Sequence, residues 1–239
     1  MKIKLKKLYP EYYNILMHEY DEKSSDLDKL NKWILNHITN YKFSTYDYVH
    51  NSYYKLLDTP TTQDILNSAT LNKRGCCIEL NYLFYHFLKS KKYDVYFLKC
   101  FEYSEEFYYD DSVESESNTN MGNKYDIWHL ALIVKIHDES YYVDTAFGGY
   151  FNEALSINNN KNKNFCIKNG QIFGLKKDRY VFVTEMSNDI IGWQDIKRNY
   201  ISYYSAPQFS YPICTNKVFE RVYDMNLKRF IVPTNPLMC

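Results

Sequence analysis

The chain has 239 residues, with 29 Lys plus Arg against 29 Asp plus Glu, so its formal net charge is zero. A neutral chain offers no global electrostatic reason to bind nucleic acid or an anionic membrane, and no apolar run approaches the roughly 20 residues that span a bilayer. The length suffices to bury a core, as one unit or as subdomains around a shared cleft.

The opening stretch MKIKLKKLYPEYYN lacks the apolar centre of a secretion signal, which predicts a soluble, cytoplasmic protein. Six cysteines, two adjacent and four scattered (Cys100, Cys166, Cys214, Cys239), predict reduced thiols rather than a disulfide framework. No Cys-x-x-Cys or His-x-x-x-His spacing occurs, so no metal is expected.

In chain order, the first third reads as helical. In SSDLDKLNKWILNHITN, Leu27, Leu30, Ile34 and Ile38 fall at steps of three and four, and Ser25 with Asp28 makes a capping-box pattern. A shorter helix is expected in TTQDILNSATLN, after Pro60. From Cys77, apolar Leu80, Leu83, Phe84, Phe87 and Leu88 recur at helical spacing, and Lys89, Lys91 and Lys92 suit a helix C-terminus. The period then changes. YDVYFLKCF, WHLALIVKI, SYYVDTAF, NFCIKNGQIFGLKK and RYVFVTEM are short, rich in β-branched and aromatic residues, and predict strands. Between the first two, the acidic run at 102–126 reads as a mobile surface loop. The last forty residues alternate weak strand patterns with Pro-marked turns.

Cys76 and Cys77 stand behind Arg74-Gly75 at the entry to the third helix. A thiol in a first helical turn meets unpaired N–H groups and the positive end of the helix dipole, both of which favour thiolate. The plainer alternative is a small buried side chain. His129 lies on an otherwise apolar strand and Asp144 ends the next, so neighbouring strands can present them side by side. In a Cys-His-Asp arrangement the imidazole takes the thiol proton and the carboxylate holds the ring in its working tautomer. A hydrogen-bonded core histidine and a turn aspartate are the corresponding alternatives.

RGCCIELN, HLALIV and YYVDTAFGG, in that order, resemble the motifs of the arylamine N-acetyltransferases: Arg-Gly-Gly-x-Cys-Phe-Glu-x-Asn, a His-x-x-Leu strand and Val-Asp-x-Gly-Phe-Gly. By register the resemblance implies Cys77 as nucleophile, His129 as base and Asp144 as its orienting acid, with Glu79 and Asn81 in signature positions. It extends weakly over about residues 10–232. The implied fold is α+β: an N-terminal helical bundle (1–92) bearing the nucleophile, a central β-barrel (93–190) bearing His and Asp, and an interdomain segment with a short lid (191–239), around a cysteine-protease-like core. The implied activity is acetyl-CoA-dependent acetylation of small aromatic amines or hydrazines through an acetyl-cysteine, with Gly148 and Gly149 as a place where backbone could approach the CoA pyrophosphate. Three departures stand out. One residue is missing before Cys77. KFST at 42–45 replaces a Pro-Phe-Glu-Asn, so Arg74 lacks its expected acid and Asp47 is the substitute. The chain also stops at Cys239, which implies a truncated lid and weaker CoA binding. A related amide synthase, a thiol hydrolase and a non-catalytic binding protein remain as rival readings.

Overall fold

The computed structural model describes residues 4–45, 61–101, 108–109, 128–146, 151–158, 165–176, 179–205, 220–227 and 229–231. Its helical part opens with α1 (Leu5–Leu8), α2 (Pro10–Leu16) and α3 (Asp26–Asn40). Ser25 starts α3 by accepting from the Asp28 N–H at 3.1 Å, as its capping pattern predicts. Leu30, Trp33, Ile34 and Ile38 are buried, and Leu27 is half-buried against the same core. Helix α4 (Thr62–Leu71) begins at a complete capping box: Asp64 N–H donates to Thr61 Oγ1, and Thr61 N–H donates to Asp64 Oδ2.

Helix α5 (Cys77–Ser90) is the axis of this part. Leu80, Leu83, Phe84, Phe87 and Leu88 are wholly buried, and each side chain of that size removed from water contributes about 1.5–3 kcal/mol. Trp33 of α3 meets Phe87 edge-on at 5.1 Å, locking α3 across α5. The helix ends at Lys91, whose ammonium donates to the Tyr13 hydroxyl at 2.9 Å and lies over the Tyr20 ring.

Two sheets complete the described fold. The larger contains β3 (Asp94–Phe101), β4 (Tyr108–Tyr109), β5 (His129–Ile136), β6 (Glu139–Val143), β7 (Leu155–Ser156), β8 (Phe165–Lys168), β9 (Gln171–Lys176) and β10 (Arg179–Ile190). Its order is β7-β6-β5-β3-β10-β9-β8, with β4 beside β10. Among the described residues β7 and β8 do not pair, and the expected barrel takes the form of a curled half-barrel. Inside it Tyr142, Phe151, Phe165, Ile172 and Val183 form a second core. A smaller sheet joins distant parts of the chain, in the order β12-β11-β1-β2: β1 (Lys42–Ser44), β2 (Arg74–Gly75), β11 (Glu220–Asp224) and β12 (Arg229–Ile231).

Three readings of the sequence change. NFCIKNGQIFGLKK is a hairpin, not one strand: Asn169 and Gly170 both take positive φ (51° and 79°), the conformation a two-residue turn demands. Tyr108 and Tyr109, inside the expected loop, pair with Val181 and Tyr180, and the rest of that loop lies outside the described residues. The segment after residue 190, where no helix was expected and whose last forty residues read as weak strand patterns, begins with a helix, α6 (Trp193–Ser205). Its Trp, Tyr and Ile content favours strand locally, but Ile196, Asn199 and Tyr200 at helical spacing bury one face, and packing overrides propensity. The end segment 232–239, on which the lid expectation rests, is outside the described residues.

Candidate active site

The approach to α5 is tight. Parallel pairing of β1 with β2 sets Lys42 beside Arg74 and Phe43 beside Gly75. A β-carbon on Gly75 would lie 2.8 Å from the Glu79 β-carbon, so the chain passes the helix only because residue 75 has no side chain. Glu79, itself 1% exposed, accepts the Cys76 N–H at 2.8 Å and satisfies one orphan donor at the helix start.

This geometry separates the two cysteines. Cys76 is the N-cap residue, and its thiol donates to the Ser44 carbonyl oxygen at 3.4 Å. Cys77 is the first helical residue, and its side chain lies close enough to the His129 ring to raise its ionisation. The other described cysteines, Cys100 and Cys166, are buried and outside any disulfide.

His129 opens β5 and Asp144 directly follows β6, so the antiparallel pairing of these strands brings them together as the sequence predicts. His129 Nε2 lies 2.6 Å from Asp144 Oδ2, which leaves Nδ1 for Cys77. All three are nearly sealed from solvent, at 4%, 3% and 1% exposure for Cys77, His129 and Asp144.

Burial should neutralise such a pair, but the surroundings reverse it. Burial opposes charge on the His129 ring, yet the Asp144 carboxylate and the Cys77 side chain outweigh it and lift the ring well above the usual histidine range. Burial likewise opposes the Asp144 carboxylate, but His129, the Asn81 amide and the Ala146 N–H hold its pKa below the ordinary carboxyl value. Among the described residues the aspartate meets four donors. Oδ1 accepts from Asn81 Nδ2 and Ala146 N, each at 2.9 Å, while Oδ2 accepts from His129 and from the Tyr142 hydroxyl at 2.9 Å.

Asn81 is the hub beneath the site. Its Nδ2 also donates to the Leu130 carbonyl at 2.6 Å, and its Oδ1 accepts from Thr145 N and Oγ1 at 2.8 and 2.9 Å. It thus ties α5 to both strands that carry the histidine and the aspartate. Asn199 of α6 holds the other side of the histidine strand: its Nδ2 donates to Trp128 O at 2.7 Å and its Oδ1 accepts from Trp128 N at 3.4 Å.

Sequence reasoning assigned no role to Asn199 or Tyr142. Tyr142 had a signal, because residues two apart on a strand share a face and Asp144 follows it by two. Gly148, Gly149 and Asp47 lie outside the described residues, as do most of 102–126. Among the described residues no group of three or more His, Cys, Asp or Glu side chains is arranged to hold a metal, and no helix is long and apolar enough to cross a membrane.

The family model for N-acetyltransferase matches residues 26–226. Two uncharacterized acetyltransferases of Acanthamoeba polyphaga mimivirus resemble the chain. One is 28% identical over 200 residues, covering 80% of this chain and 90% of the relative; the other is 25% identical over 215 residues, covering 87% and 93%. Among solved structures, arylamine N-acetyltransferase C from Bacillus anthracis superposes with a TM-score of 0.67 at 16% identity over 97% of this chain and 87% of that one. The Mycobacterium marinum arylamine N-acetyltransferase in complex with CoA gives 0.66 at 16% identity over 94% and 79%. A Bacillus cereus arylamine N-acetyltransferase with a Cys-His-Glu catalytic triad gives 0.64 at 13% identity over 93% and 85%.

Proposed function

The chain belongs to the arylamine N-acetyltransferase family and is an acetyltransferase, and from that premise we propose that it acetylates small aromatic amines or hydrazines from acetyl-CoA, through an acetyl group carried on Cys77. The observation that carries this reading is the buried chain of contacts from the Cys77 thiol through His129 to Asp144 at the head of α5. CoA as the donor is supported by the CoA complex of the Mycobacterium marinum relative.

In this proposal the transfer divides into two half-reactions. His129, accepting the Cys77 proton, leaves a thiolate that attacks the acetyl carbonyl. The carbon–sulfur bond to Cys77 forms, the bond to CoA breaks, and the imidazolium returns its proton to the departing CoA sulfur. An amine then attacks the thioester, His129 takes the amine proton, and Cys77 leaves as thiolate. Dividing one acyl transfer between two easier steps is the general gain of a covalent nucleophile. Asp144 keeps the ring in one tautomer and stabilises its positive form. Backbone N–H groups in the first turn of α5 are suited to holding the tetrahedral oxyanion.

Intact-mass measurement after mixing with acetyl-CoA tests the proposal. The wild type is expected to gain one acetyl group, Cys77→Ser none, and Cys76→Ala nearly the full amount. Acetylation surviving in Cys77→Ser but lost in Cys76→Ala would move the nucleophile by one position. Rapid acetyl-CoA cleavage without an amine would indicate a thiol hydrolase, and neither adduct nor cleavage a binding protein.

A further inference from the structure

We propose that Tyr142 is a positioning residue that tempers the basicity of His129: by donating its hydroxyl proton to the same Asp144 oxygen that faces the imidazole, it draws negative charge away from the ring. The inference rests on the Cys77, His129 and Asp144 reading above and concerns how that unit is tuned.

Tyr142 is fully buried on β6, on the face of the strand that looks into the second core. Its hydroxyl meets Asp144 Oδ2 at 2.9 Å, and His129 Nε2 meets the same atom at 2.6 Å. One carboxylate oxygen is thus shared by two donors. Charge spent on the phenol is unavailable to the imidazolium, so the shared oxygen stabilises the positive ring less than an oxygen devoted to it would. The phenol stays a donor throughout, because burial, Asp144 and Cys100 push its own ionisation well above the ordinary tyrosine range. The Cys100 side chain is close enough to this hydroxyl to add to that effect. Cys100 lies on β3 directly across from His129 in the strand register. The result is one buried line of groups: Cys100, Tyr142, Asp144, His129, Cys77. Among the described residues, the ionisable side chains acting on Asp144 and His129 include Cys77 of α5, Tyr142 of β6 and, through Tyr142, Cys100 of β3. Hydrogen bonds in such a line polarise one another, so a change at its far end reaches the ring.

Tempering has a chemical use. In both half-reactions His129 must accept a proton and then release it to a leaving group, and a ring bound too firmly to its proton is a poor acid. Tyr142→Phe removes one oxygen and leaves the ring volume in place. The expected result is an upward shift of the His129 ionisation by about half to one pH unit, read from the imidazole proton resonances on alkalinisation. The alkaline limb of acetyl transfer should move with it, with the plateau rate about threefold to tenfold lower and the KM for acetyl-CoA unchanged. Cys100→Ala, which keeps the phenol but removes its thiol partner, should shift the same limb in the same direction by less.

The histidine titration uses the free protein and needs no acetyl donor, so two failures are distinguishable. A wild type that gains no acetyl group on Cys77 from acetyl-CoA would overturn the underlying reading. A wild type that is acetylated there, with His129 titrating identically in folded Tyr142→Phe, would overturn the role of Tyr142 alone. A downward shift in either variant would do the same, since it would show that the phenol supports the imidazolium.

Discussion

At the scale of single residues, Asp144 shows how a charge survives at 1% exposure. An unpaired carboxylate there would be strongly disfavoured, and four donors on its two oxygens remove that penalty. The consequence is an oriented acceptor for one edge of His129. Asp144→Asn keeps the size and the Asn81 contact but can present an N–H to His129 Nε2, which favours the other tautomer. Turnover should fall by orders of magnitude, about ten-thousandfold where a comparable triad has been altered in this way, while the denaturant midpoint changes far less. A variant with near-normal turnover would remove Asp144 from the mechanism. Cys77, His129 and Asp144 were readable as candidates because each belongs to a short motif. Tyr142 and Asn81 act through contacts 2 and 63 positions from Asp144, and only the first of these leaves a local trace, in strand alternation.

At the scale of elements, the site hangs on how α6 grips the start of β5. The Asn199 amide pairs with both backbone groups of Trp128, much as a neighbouring strand would, and so fixes the residue before His129. Removing that amide strands a buried N–H and a buried carbonyl, each costing about 1–3 kcal/mol when left unmade. Asn199→Ala is therefore expected to lower stability by roughly 2–4 kcal/mol in urea unfolding, and to slow acetylation of the protein in the fraction that stays folded. Unchanged stability would show that water or a neighbour replaces the amide. The helices α3, α4 and α5 were legible because apolar spacing and caps agree. Helix α6 was not, because Trp193, Ile196, Tyr200 and Ile201 carry strand propensity and its helical face becomes visible only once it has a strand to cover. The smaller sheet was equally hidden: its β1 and β11 are three and five residues long and pair across most of the chain.

At the scale of the whole molecule, the helical core contains a group that makes its stability depend on acidity. His37 is wholly buried in the last turn of α3, bonded through Nδ1 to the Tyr12 hydroxyl at 2.9 Å and edged by Phe84. A helix C-terminus favours a charged histidine, but burial wins and lowers the pKa of His37 to about 3. The native chain therefore keeps the ring neutral where the unfolded chain, with a value near 6.5, takes up a proton. Stability from this group is complete above 6.5 and is lost as pH falls from there toward 3, with a slope of about 1.4 kcal/mol per pH unit. His86, lowered by burial to about 4, acts in the same direction over the upper part of that window. The site groups act elsewhere. The raised His129 contributes in full below its unfolded value and loses that contribution only on the alkaline side, and the lowered Asp144 loses its contribution only below the ordinary carboxyl range. Denaturant titrations between pH 7 and 5 should thus show a fall of about 2 kcal/mol attributable to His37, and the double variant Tyr12→Phe/His37→Leu, which removes both partners of the buried hydrogen bond, should flatten the slope by about one proton. A wild-type midpoint constant over that interval would mean that His37 accepts its proton inside the folded core, and the neutral ring would then have no part in holding α2 against α3.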